Sequence, residues 1–241
     1  MKILQVTLWL YATSLSKSWD CLRKNWVVSF APVIYGIILT VTGIVVGPLG
    51  MIGGLVYSLV SSACASSGLY LVKNLVESGK TDSNDFLNGF TAYLGELLTF
   101  FFILWLPMWA AANGLAGVPN GALIYLLLRL GLFLLLNAVP EMIYQGRVTG
   151  LELIGASYNF IVENWIEWLT PNIILFVIGY MLLGQIELAL FGLPAFVQLF
   201  VHSFALGLLL TYVMTFRGFL FIELYGSSRR SRIYRYKARS N

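Results

Sequence analysis

Residues 101–136 read FFILWLPMWAAANGLAGVPNGALIYLLLRLGLFLLL. Two apolar runs flank a turn rich in Asn, Gly and Pro, and Arg129 is the single charged side chain in the stretch. Followed outward to 97–115 and 121–142, each run reaches about the 20 mostly apolar residues that cross a bilayer core. With no water there to satisfy backbone groups, such runs fold as helices, which bond their own N–H and C=O groups. The whole chain agrees: of 241 residues, 59% are hydrophobic and 11% charged, against about 25% charged in a typical soluble domain. Mean hydropathy is +0.81.

Working outward, stretches near 26–46, 51–73, 97–115, 121–142, 165–185 and 195–222 qualify as spans, which predicts an all-α integral membrane six-helix bundle. Six spans put both termini on one side. The connections Gly47–Gly50, Asn113–Gly121 and Gly184–Pro194 hold no Lys or Arg, and 14 of the 15 basic residues fall at the opposite end of the spans. Basic residues are retained in the cytoplasm, so both termini are expected on the cytoplasmic face of a prokaryotic plasma membrane. No polar linker separates folded units, so residues 1–225 read as one transmembrane domain and 226–241 as a basic tail. The start, MKILQVTLWLYATSLS, reads as mature sequence, because cleavage there would send Lys17, Arg23 and Lys24 outward.

A phrase recurs. SWDCLRKNWVVSFAP at 18–32 and SYNFIVENWIEWLTP at 157–171 share Ser18/Ser157, Asn25/Asn164, Trp26/Trp165 and Pro32/Pro171. At helical spacing Tyr158, Ile161, Trp165 and Trp168 face away from Asn159, Glu163 and Glu167, while Trp19, Leu22 and Trp26 oppose Asp20 and Lys24. Both read as interfacial helices on the cytoplasmic side, with Trp19, Trp26, Trp165 and Trp168 at the lipid surface, where half-buried aromatic rings sit. DFLNGFTAYLGEL before the third span is a weaker version, with Phe86, Phe90, Tyr93 and Leu97 on one face. Two readings stand: three parallel helix-hairpin repeats, or unrelated segments that share a taste for Trp and Pro where chains enter membranes.

Residues 68–90, GLYLVKNLVESGKTDSNDFLNGF, carry Gly68, Tyr70, Lys73, Gly79, Asp85, Phe86 and Gly89. In that pattern a Gly-Tyr-Leu helix end passes through basic residues and a short acidic loop to an aromatic residue and a glycine. It resembles the junction in an uncharacterised prokaryotic family of polytopic membrane proteins, similar in style to the membrane domain found beside glycerophosphodiester phosphodiesterases. The resemblance implies a polytopic helical fold and brings no catalytic residues with it.

Few residues point to chemistry. Arg129 lies near mid-membrane, where an arginine requires pairing or hydration and is a functional candidate by default. It would bind an anionic headgroup, a substrate anion or a partner's carboxylate, or else pair with Glu187 or snorkel outward. His202, the one histidine, suits an interhelical hydrogen bond better than a proton relay or haem ligation. Arg129, His202 and Glu187 form the candidate ligand set. In SLVSSACASSG at 58–68 nearly every side chain is small; it reads as a packing surface, or as a polar path for a neutral solute lined by Ser58, Ser61, Ser62, Ser66 and Ser67. Cys21 and Cys64 read as free thiols. No phosphate loop, zinc helix, nucleophile elbow or Cys-x-x-Cys is present, so no catalytic residue, metal or cofactor is assigned. In the tail, Arg229, Arg230, Arg232, Arg235, Lys237 and Arg239 read as contacts to anionic lipids, with no need of nucleic acid.

Three functions compete. The leading one is a non-enzymatic scaffold or accessory subunit among lipids and other membrane subunits or copies of itself. The second is the permease subunit of an ABC-exporter-like transporter, working with a separate ATPase. The third is an intramembrane lipid-modifying enzyme, which needs Arg129 to meet His202 and a carboxylate in a cavity.

Overall fold

The structure, a computed structural model, describes residues 2–240, with side chains from 5 to 238. Among the described residues the chain is helical throughout: α1 (Lys2–Lys24), α2 (Ala31–Val46), α3 (Met51–Ser78), α4 (Ser83–Ala92), α5 (Leu94–Leu115), α6 (Gly121–Leu135), α7 (Val139–Glu141), α8 (Gly150–Ala189), α9 (Ala195–Leu224) and α10 (Arg229–Ser240). Five segments are long and apolar enough to cross a membrane: Trp26–Leu49, α3, α5, α8 and α9. A sixth crossing is present if α6 and Val139–Gly146, bent by 41° at their junction, are counted as one. The chain is thus a helical, multi-pass type, with five or six passes.

Pro140 explains the bend. It has no N–H, and its ring collides with the carbonyl four residues back, so the helix breaks across Leu136, Asn137 and Ala138. Stranded carbonyls in an apolar setting need donors. Ser157 Oγ donates to the Leu135 carbonyl at 3.1 Å and Arg217 Nη2 to that of Asn137 at 2.6 Å.

At about 1.5 Å per residue, the 40-residue α8 is about twice as long as a bilayer core is thick. It divides at Asn164, whose φ of −125° and ψ of 20° are not helical. About two turns on, Pro171 leaves the Glu167 carbonyl without its helical donor, and Tyr11 Oη donates to it at 3.0 Å.

The small residues of α3 serve packing. Ser66 Oγ donates to the Gly89 carbonyl at 2.6 Å and accepts from the Tyr93 amide at 2.8 Å. Ser67 Oγ donates to the Phe86 carbonyl at 2.9 Å and accepts from Tyr35 Oη at 2.8 Å. A Cβ on Gly89 would lie 2.8 Å from Ser67 Cα, so α4 meets α3 backbone to backbone. The loop between them is set locally: Gly79 ends α3 with φ 70°, and Asp82 and Asp85 form a capping box on α4. Gly79, Asp85, Phe86 and Gly89 therefore all have structural duties in this junction.

Helix α1 buries Val6, Leu10, Ser14, Ser18, Cys21 and Leu22 at helical spacing and lies along α9. The main core gathers at the end that carries the termini, around Leu153, Phe160, Trp168, Phe216 and Phe221. Elsewhere large apolar side chains point outward, among them Ile44, Leu55, Phe133, Phe176 and Phe196, as a lipid-facing surface requires.

Two lipid-surface expectations are corrected. Trp168 is fully buried, although Trp19, Trp26 and Trp165 are more than half exposed. Arg232 is also buried, at 5% exposure. The expected amphipathic assignment of α8 put its polar face toward water. Asn159 and Glu163 of that face are exposed, but so are Tyr158, Val162, Trp165 and Ile166, while Ser157, Asn164 and Glu167 turn inward with Ile161 and Trp168, where protein groups satisfy the polar ones.

Candidate functional site

The break after α6 organises a polar cluster inside the helices. Glu141, with no exposed surface, receives Arg217 bidentately: Nε to Oε1 at 2.7 Å and Nη2 to Oε2 at 2.8 Å. Such fork-on-fork pairing is the strong geometry for arginine and carboxylate. The Arg217 guanidinium also lies 5.1 Å from the Trp168 ring centre, and Trp168 Nε1 donates to Asn137 Oδ1 at 2.9 Å. Carboxylate, broken-helix carbonyl and aromatic face together neutralise one intramembrane cation.

Beside this cluster opens a cavity of about 1000 Å³. Spans α2, α3, α5 and α9 and the broken α6–α7 helix line it, and its walls are almost wholly apolar, as at Tyr35, Gly36, Leu104 and Phe133. Its polar features include Arg217 and Asn137 on one side and Arg129 on another. Arg129 is exposed, lies 5.9 Å over the Tyr125 ring, and has no carboxylate partner among the described residues.

The structure does not assemble the expected ligand set. Arg129 lines the cavity, but His202 and Glu187 do not. His202 is half-buried in α9, and Glu187 is exposed near the end of α8. The residues that do converge are Glu141, Arg217 and Asn137, of which Arg217 belongs to the basic set that the sequence places at the ends of the spans. The sequence carries a signal for the pair: Glu141 and Arg217 each fall inside an apolar window, one acidic and one basic. Among the described residues no group of three or more His, Cys, Asp or Glu is placed to hold a metal, and Cys21 and Cys64 are free and buried.

A second cluster docks the tail. Arg229 pairs with Glu167 at 3.0 Å, Arg232 Nη2 donates to Asn164 Oδ1 at 3.0 Å, and Arg235 pairs with Glu223 at 2.9 Å. Three of the arginines expected to meet lipid headgroups thus hold α10 against α8 and α9, whereas Arg230 is exposed. The Arg239 side chain lies outside the described residues. Burial lowers the basicity of Arg232, and Glu167 partly restores it. Burial and the nearby Glu167 carboxylate push the Tyr11 phenol up to about 12, which keeps it a neutral donor. Substituting Glu167→Gln removes an ion pair whose arginine is half exposed, a loss of about 1 kcal/mol or less. Tail cleavage by trypsin in detergent should then quicken by up to roughly fivefold, with the remaining fragment intact; an unchanged rate would mean that α10 is held by other contacts.

The chain matches no family model, no curated protein and no solved structure.

Proposed function

We propose that this chain is a six-pass, non-enzymatic plasma-membrane protein that houses an amphiphile from the bilayer and acts as an accessory subunit of a membrane complex. Its two ends lie in the cytoplasm. The single observation that carries the reading is the apolar cavity among the spans. It opens to the outer surface of the bundle, where Phe101 and Phe133 of its wall are exposed, and apolar walls with no atoms against them forfeit dispersion contacts. A gap of about 1000 Å³, at the upper end of the size of small-molecule sites, is therefore stable in a membrane when a chain-bearing molecule fills it.

The threefold plan supports the same picture. Helices α1, α4 and the part of α8 before Asn164 each lead into a span, so three helix-hairpin units would ring the cavity. The permease reading remains second: α4 and its loop occupy the place of a coupling segment, and an ATPase that co-purifies in mild detergent would favour it. The lipid-modifying reading would need His202 or a free carboxylate beside Arg129.

Native mass spectrometry of protein taken from membranes in mild detergent tests the cavity. Gly36 lines it, and a Cβ there meets no heavy atom within 4 Å. Wild type should carry a lipid-sized mass that Gly36→Phe, folded but filled, does not. Identical spectra from the two would contradict the reading.

A further inference from the structure

We infer that the cavity selects an anionic lipid, drawn from the leaflet at the Asn113–Gly121 end, with its acidic head on Arg129 and its chain running toward Arg217. The inference rests on the amphiphile-binding reading above and adds the charge and leaflet of the ligand.

The charge follows from a count within the site. Arg217 lines the cavity, but its positive charge is taken by Glu141 and by the Asn137 carbonyl. Arg129 shares the cavity with no carboxylate partner among the described residues. The pocket therefore carries one uncompensated cation in apolar surroundings, where a charge without a counter-charge is costly. A zwitterionic or neutral head leaves that cation unbalanced; a phosphate diester or carboxylate head balances it. The Tyr125 ring under the guanidinium stabilises the cation without neutralising it.

The apolar walls cannot make this choice. Acyl tails are as apolar as leucine, so moving a tail from bilayer to cavity gains nothing from the hydrophobic effect. Discrimination among membrane lipids falls to the head, and Arg129 is the charge there that is not already used.

The leaflet follows from helix direction. Arg129 is eight residues into α6, counting from Gly121, or about 12 Å along the axis. Helical side chains lean toward their own N-terminus, and the position of Arg129 over Tyr125, one turn back, shows this lean. The guanidinium thus reaches toward the Gly121 end, within range of headgroups there. The other 14 basic residues belong to the opposite end, so no second cation competes for the same head.

The test uses full-length protein in neutral detergent, with dioleoyl phosphatidylglycerol and dioleoyl phosphatidylcholine as probes and bound lipid counted by native mass spectrometry. Wild type should prefer the glycerol lipid by about tenfold, the weight of roughly one charge-assisted hydrogen bond. Arg129→Gln should erase the preference while phosphatidylcholine still binds, Arg129→Lys should keep most of it, and Arg230→Gln should leave it unchanged. A preference that survives Arg129→Gln, or that follows Arg230, would overturn the inference, as would displacement of the lipid by inorganic phosphate at equal concentration. If Gly36→Phe abolishes binding of both lipids but Arg129→Gln alters nothing, the cavity reading stands and the head assignment falls. If neither variant alters binding, both fall. A change in oligomer mass caused by Arg129→Gln would assign Arg129 to a contact between copies and also overturn the inference.

Discussion

Glu141→Ala is expected to lower the stability of the protein in detergent by about 3–5 kcal/mol, the usual loss when one partner of a buried ion pair is removed. The carboxylate is fully enclosed and binds both arms of Arg217. Its removal leaves a guanidinium held by one backbone carbonyl and an aromatic face. Arg217→Leu should be comparably damaging, because a carboxylate with no exposed surface loses its cation. The double variant Glu141→Leu, Arg217→Leu should recover most of the loss, since apolar pairs of similar volume often replace buried ion pairs at little cost. Thermal unfolding monitored by circular dichroism reads this as a fall of roughly 10 °C for each single variant and a much smaller one for the double. Single variants as stable as wild type would mean that water reaches the pair.

Gly207→Ala is the second large effect. A Cβ on Gly207 would collide with the Ser29 carbonyl, where α9 crosses the turn Trp26–Phe30. Phe30 and Phe204 lock that crossing, with ring centres 4.6 Å apart. The obstacle is backbone rather than a flexible side chain, so the helices must separate, at a cost at or above the usual 1–3 kcal/mol of overpacking. Gly184→Ala, in open space, is the control and should be neutral or stabilising by up to about 1 kcal/mol, as alanine favours helix over glycine. Equal expression and melting of the two variants would disprove the close crossing.

The sequence was informative where physics acts locally. Apolar run length indicated the helical membrane class and the places of five long apolar helices, with the sixth expected span bent at residues 136–138. It misled where polar groups were involved. Glu141 and Arg217 are 76 positions apart, so nothing local joins them. Their meeting depends on the break that Pro140 makes and on where α9 lies against it. The faces of α8 do not divide by polarity: Ser157, Asn164 and Glu167 lie inward with Ile161 and Trp168, while Asn159 and Glu163 lie outward beside Trp165, so a polar and apolar pattern alone does not tell which face is buried. Arg229 and Arg232 of the tail then meet the Glu167 carboxylate and the Asn164 amide on that inward face, contacts across some 60 positions. Arg129 was legible as an oddity from composition alone, whereas its cavity needed the helices to be arranged.

Site-directed labelling tests the central claim, a multi-pass bundle with its cations gathered at the cytoplasmic end. On a background with Cys21 and Cys64 replaced by alanine, single cysteines at Asn120, Lys80 and Gly226 would be probed in intact cells with a membrane-impermeant maleimide. The account predicts that Asn120→Cys is labelled from outside, and that Lys80→Cys and Gly226→Cys are labelled only after the membrane is opened. Labelling of Lys80→Cys or Gly226→Cys in intact cells would contradict it.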